Sequence, residues 1–226
     1  MSVKAIFSLT LLIFFMAYTE ASIAYQDSDN VQGRVQSAVQ PESEICEVYK
    51  GFLEALARDQ KLYVKPTTII FSETFFGKDA SAPSQFFIET GEVETVELFE
   101  DYTVEEPVLS EITVDTTELF KGMNETNIYA ISECFDDFGD RIKFFPDARE
   151  LFDREASKTA DEDLYHDELA AFWSLSPVGV SHDGQRALLY AGYYCGSLCA
   201  GGAYYLLEKD VDGNWDILAF HSIWVS

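Results

Sequence analysis

Residues 172–226 form the densest run of strand-forming residues and turn signals in the chain, and this run constrains the core more than any other feature. Four strands are predicted there, over residues 173–180, 186–195, 202–209 and 214–225. They are separated by Ser181-His182-Asp183-Gly184, by Gly196-Ser197-Leu198, and by Val211-Asp212-Gly213, each of which carries the Gly or Asp-Gly of a hairpin turn. Sequential strands joined by short turns pair antiparallel, so the segment predicts a β-meander. The second strand is apolar in both phases of its alternation, with Ala187, Leu189, Ala191 and Tyr193 on one side and Leu188, Tyr190 and Tyr194 on the other. A strand of that kind is central and covered on both faces. In the last strand Trp215, Ile217, Ala219, His221 and Ile223 fall on a single predicted face.

The cover must come from helices upstream. After Pro41, the residues Ile45, Val48, Tyr49, Phe52 and Leu56 recur at three- and four-residue spacing, which lines one face of a helix from Glu42 to about Arg58. Residues 67–74, centred on Ile69, Ile70 and Phe71, have strand composition, and 77–85 reads as a loop. Residues 86–102 are apolar but Glu-rich and broken by Gly91, and their pattern does not choose between helix and strand. A short strand is predicted over 108–114. Asp115-Thr116-Thr117-Glu118 has the form of an N-terminal capping box, with Asp115 accepting from the amide three residues on, and opens a short helix through Met123. A strand over 141–145, a helix from Pro146 to about Glu155 and a capped helix over 159–172 complete the pattern. The predicted fold is α+β: a C-terminal antiparallel meander of about four strands packed with an N-terminal helix and additional short helices.

The N-terminus has the parts of a secretory signal: Lys4, an apolar run over 5–18, and a small-x-small site at Ser22-Ile23-Ala24. Cleavage after Ala24 would leave a polar leader over 25–40, expected to be disordered, and a single domain over 41–226. The expected location is therefore periplasmic or extracellular, with no membrane insertion after signal removal. Lys and Arg number 15 against 40 Asp and Glu, a net charge of −25. Such a surface disfavours nucleic acid and anionic lipid, both of which are bound through cations on the protein. It reads as a solvated surface, or as one matched to cations or a basic partner. Asn124-Glu125-Thr126 is a glycosylation sequon only in a host that glycosylates exported proteins.

Four cysteines in an exported chain predict two disulfides, for which three connectivities exist. Cys195 and Cys199 flank a three-residue hairpin loop that would set them opposite each other, which pairs Cys195 with Cys199 and, by elimination, Cys46 with Cys134. A redox-active Cys195-x-x-x-Cys199 would have one residue more than the Cys-x-x-Cys of thioredoxin-like sites, and a four-cysteine metal site suits an oxidising compartment poorly.

No cofactor is expected, because neither a phosphate loop nor a dinucleotide fingerprint occurs. Ser197 stands in a hairpin rather than at the strand-to-helix turn of a Gly-x-Ser-x-Gly hydrolase. His166 lacks the second histidine of a zinc metalloprotease helix, and His182 belongs to a turn. His221 is the one histidine on an apolar face, either a buried residue with a satisfied hydrogen bond or a catalytic base. Asp210-x-Asp212-x-Asn214 resembles the start of a calcium loop, but Gly213 comes two positions early and His221 stands where the closing Glu belongs. A plain turn is the simpler reading, and Asp136, Asp137 and Asp140 are a second, looser calcium candidate.

The pattern Arg186-Ala187-Leu188-Leu189-Tyr190-Ala191-Gly192-Tyr193-Tyr194-Cys195-Gly196-x-Leu198-Cys199-x-Gly201-Gly202, followed by Tyr205-Leu206-Leu207-Glu208-Lys209, Gly213-x-Trp215 and Trp224-Val225-Ser226, resembles a family of exported bacterial proteins without an assigned activity. The likeness covers about the last fifty residues, and Ala200 departs from the Gly expected there. It implies export and a C-terminal meander, and it transfers no catalytic residue.

The binding candidates are Tyr190, Tyr193, Tyr194, Tyr204 and Tyr205 with Gly196, Ser197, Gly201 and Gly202. They are cross-strand packing pairs, or they form an aromatic wall beside a glycine-rich, disulfide-pinned loop that a partner approaches. The leading expectation is a non-enzymatic exported domain binding a protein or envelope component through this surface. The alternative is a small hydrolase or isomerase with a cleft between sheet and helices and His221 as base.

Overall fold

The computed structural model describes residues 42–58, 61–69, 81–99, 102–124, 128–135, 141–146, 148, 171–196 and 199–225. The predicted signal and leader, the sequon residues Glu125 and Thr126, the Asp136, Asp137 and Asp140 group, His166, and nearly all of the helices expected over 146–155 and 159–172 lie outside them.

Helix α1 (Ser43–Leu56) forms where the three- and four-residue periodicity predicts it, and it buries Val48, Tyr49, Phe52, Leu53 and Leu56. Full burial of side chains this size contributes roughly 1.5–3 kcal/mol each before conformational entropy is subtracted. Gly51 sits where the helix meets residue 215 of the sheet, and a methyl group there would stand 2.6 Å from Cβ of Trp215. The contact is close because residue 51 has no side chain.

Nine strands among the described residues form one sheet: β1 (Leu62–Val64), β2 (Gln85–Phe99), β3 (Tyr102–Thr113), β4 (Ile142–Phe144), β5 (Phe172–Leu175), β6 (Gly179–Val180), β7 (Arg186–Gly196), β8 (Cys199–Lys209) and β9 (Trp215–Val225). Their order is β3-β2-β9-β8-β7-β5-β1-β4, with β6 beside β7. The α+β class stands, and the C-terminal strands pair antiparallel as expected, but they belong to a sheet of nine strands rather than about four. Strand β1 pairs parallel with both β4 and β5, so the sheet is mixed. Strand β4 falls within the strand expected over 141–145, whereas β1 was hidden because three residues are too few to display a period. The predicted strand over 173–180 is two strands, interrupted at Ser176-Pro177-Val178. Residues 86–102, ambiguous in sequence, belong largely to β2, and the short strand predicted over 108–114 extends back to Tyr102. Of the strand predicted over 67–74, Thr67 makes an isolated antiparallel bridge to Ala130, and residues 70–74 lie outside the described set.

Helix α2 (Thr117–Met123) covers the other face, burying Leu119 and Met123. The carboxylate of Asp115 accepts from the amide of Thr117 at 3.0 Å, two residues on rather than the expected three. The central strand is covered on both sides. Ala187, Leu189 and Ala191 join the core under α1, together with Trp173, Leu207 and Trp215. Leu188 and Tyr190 join a second core with Phe86, Leu119, Met123, Tyr204, Leu206 and Ala219.

The single apolar face predicted for the last strand is not maintained. The register places Ile217 opposite Leu207 and Ala219 opposite Leu206, which leaves Leu218 as an extra residue. A bulge of this kind reverses the alternation. Trp215 and Ile217 therefore face α1, while Ala219 turns to the α2 side. Both predicted disulfides form, Cys46 with Cys134 and Cys195 with Cys199, with Cα separations of 5.0 and 5.1 Å. Two bridges suit an oxidising compartment. Among the described residues no helix is long and apolar enough to cross a membrane.

Candidate functional site: the tyrosine-rich hairpin

Strands β7 and β8 run antiparallel from the pair Arg186 and Glu208 to the pair Gly196 and Cys199, so the hairpin reaches farther toward its tip than the expected start at Gly202. Ser197 lies outside the described residues. Gly192 is opposite Gly202, and Tyr193 is opposite Gly201. These glycines leave a shallow trough in the sheet, and the chain's own rings fill it. A methyl group at Gly201 would stand 2.6 Å from the Tyr193 hydroxyl. One at Gly202 would collide with the Tyr190 hydroxyl and lie 2.6 Å from Nε1 of Trp224. Glycine here admits a tyrosine of the neighbouring strand.

The five tyrosines divide by strand phase. Tyr193 packs on the α1 side, 5.5 Å from Trp173 between ring centroids, and Tyr205 lies 4.9 Å from Phe52 on the same side. Tyr190 and Tyr204 make an edge-to-face pair at 5.8 Å on the α2 side, and Phe120 of α2 packs against Tyr204 at 5.9 Å. Such geometry suits the aromatic quadrupole. Burial pushes the phenols of Tyr193, Tyr204 and Tyr205 above their ordinary range, and neighbouring tyrosines add to the rise in Tyr204 and Tyr205. Burial likewise raises Tyr190, opposed by its hydrogen bond with Trp224. Tyr194 differs, with 40 % of its surface exposed. Its strand phase is that of Tyr190, but it stands at the tip beside the Cys195–Cys199 bridge, opposite Phe172 and Ala200.

His221 is half-buried on β9. The Leu218 bulge carries it to the α2 side, where its ring stacks on Tyr204 at 6.4 Å and lies 6.0 Å from Phe86. It therefore does not share the face of Trp215 and Ile217. Its Nδ1 is 2.7 Å from the carbonyl oxygen of Gln85. Because a carbonyl only accepts, Nδ1 carries the proton in this contact. Its partner is thus the main chain rather than a carboxylate, and the bond fastens β9 to the start of β2.

The calcium-like Asp210 is committed to its own turn, accepting from the amides of Asp212 and Asn214, each at 2.8 Å. Those bonds, led by Asn214, hold its carboxyl below the usual range. Gly213, at φ 86°, adopts the left-handed conformation that the turn requires. Among the described residues no group of three His, Cys, Asp or Glu side chains is placed to hold a metal ion.

Two residues that matter here gave little sequence signal. Trp224 reaches Tyr190 because a second bulge, at Ile223, sets it opposite Gly202. Ser176, fully buried between β5 and β6, receives the amide of Tyr190 on its Oγ at 2.8 Å and gives its own amide to the Tyr190 carbonyl at 2.9 Å. The carbonyl of Ser176 accepts from the hydroxyl of Tyr49 at 2.9 Å. Burial pushes the Tyr49 phenol well above its ordinary range. The sequence places Ser176 inside a single strand over 173–180, where nothing marks its hydroxyl as the acceptor of a main-chain amide.

No protein family, curated protein or solved structure matches the chain.

Proposed function

We propose that the protein is an exported, non-enzymatic binding domain that engages a protein or envelope component at the tip of the β7–β8 hairpin. The observation that carries this reading is Tyr194, 40 % exposed while Tyr190 and Tyr204 of the same hairpin are buried. An aromatic ring held at a disulfide-closed tip can dock with little loss of conformational entropy, which favours recognition. The secretory features of residues 1–24 and the C-terminal likeness to exported bacterial proteins support the envelope or extracellular setting.

The test uses the mature chain as bait on the exported fraction of its own host, with Tyr194→Ala as the matched variant. A partner retained by the wild type and lost by the variant, at unchanged melting temperature, is the expected result. Identical recoveries from both baits would refute the Tyr194 surface.

A further inference from the structure

We infer that the outer edge of β3 is a strand-docking surface for an extended, basic and apolar segment of a partner protein. This does not depend on the Tyr194 surface, which lies on another hairpin. Strand β3 ends the sheet on one side and pairs only with β2 among the described residues. It is 12 residues long, whereas β4 at the opposite end has 3. A long edge strand offers a row of main-chain donors and acceptors to any strand that can lie beside it.

The face next to that edge is apolar and exposed. Register puts Val93 opposite Pro107, Glu89 opposite Leu109, and Phe87 opposite Glu111, so these six positions share one side of the ribbon. Val93 is 47 % and Leu109 42 % exposed. On the reverse side, Phe86, Ile88 and Ile112 pack into the core under α2, so the ribbon's root is anchored and this apolar strip faces outward.

Charge selects the occupant. Residues 85–113 contain nine Asp and Glu and not one Lys or Arg. Glu89, Glu92, Glu94 and Glu111 are exposed. A second copy of the chain laid along β3 would bring like carboxylates together, which opposes edge-to-edge dimerisation. Because successive side chains of a strand point to opposite faces, a strand alternating Lys or Arg with valine-like residues gains from both features: its apolar side chains lie along Val93 and Leu109, and its ammonium or guanidinium groups, on the other face, reach toward Glu94, which register sets opposite Glu106. The acidity that prevents self-pairing therefore also specifies a basic partner strand.

The experiment measures binding of a fluorescent peptide of alternating Lys and Val to the full mature chain by anisotropy. Controls are a Glu-Val peptide and a Lys-Val peptide methylated on alternate backbone nitrogens. We expect saturable binding of the Lys-Val peptide that weakens with salt, no binding of the Glu-Val peptide, and at least about a tenfold loss on methylation, which removes main-chain donors along one edge. Glu94→Lys should also weaken binding at least about tenfold without lowering the melting temperature, since the position is exposed. Hydrogen exchange should slow within residues 107–113 on binding. Equal affinity for the methylated and unmethylated peptides would reduce the effect to charge attraction and overturn the proposal. So would the absence of binding at low salt, protection confined to other strands, or dimerisation of the unliganded chain through β3.

Discussion

The indole N–H of Trp224 donates to the hydroxyl of Tyr190 at 3.0 Å, directly above Gly202, so three adjacent strands are locked through one phenol. Tyr190→Phe would leave that indole without its acceptor. It should cost about 1–2 kcal/mol in urea unfolding, the penalty of an unmet, partly buried hydrogen bond. Gly202→Ala should cost more, because the added methyl group occupies the space of the Tyr190 hydroxyl. A neutral Gly202→Ala would contradict the ring-over-glycine packing.

Ser176 makes a sharper test, because its buried hydroxyl is the acceptor of the Tyr190 amide. Ser176→Ala removes that acceptor and leaves a buried N–H unmet. The expected loss is roughly 1–3 kcal/mol, read as a lower urea midpoint at unchanged slope.

The two disulfides should differ in weight. In the chain-entropy picture the Cys46–Cys134 bridge, 88 residues apart in sequence, stabilises by about 4.6 kcal/mol, against about 2 kcal/mol for Cys195–Cys199, separated by 4. Replacing both members of a pair with Ser, one pair at a time, and comparing unfolding midpoints checks the order. Equal losses would show that the short bridge is more than a local closure of the hairpin.

Alkaline pH should unfold the protein. The phenols of Tyr49, Tyr190, Tyr193, Tyr204 and Tyr205 are all raised in the fold, chiefly by burial. Above the unfolded tyrosine pKa of about 10 the unfolded chain has lost protons that the folded chain keeps. The linkage sign is then negative, so this stability is full below about pH 10 and declines as pH rises toward the folded values. Tyrosinate absorbance should appear together with loss of the native circular dichroism signal. Full ionisation of these tyrosines in a chain that stays folded would contradict their burial.

Much of the architecture was legible because it rests on local periodicity. The apolar stripe from Val48 to Leu56 specified α1, and the two-phase hydrophobicity of residues 187–194 required cover on both faces of β7. The cysteine spacing predicted the hairpin bridge and left a single partner for Cys46. Residues 85–113 were harder to read, since Thr90, Gly91 and Glu92 stand against Val108 alone, an irregularity that interrupts their alternation, and their abundant glutamate lowers strand propensity.

The sequence by itself determined the helix that covers one side, the central strand, its turns and the acidity of the surface, since each depends on neighbours within a few residues. Only the tertiary structure decided which face His221 and Trp224 occupy, because one extra residue at Leu218 and another at Ile223 shift every later side chain, and a bulge is defined by the strand opposite. Likewise, the glycines at 201 and 202 could have opened a ligand site or admitted a neighbouring ring. Cross-strand register set Tyr193 and Tyr190 over them, and pairing between distant strands leaves no local trace in the chain.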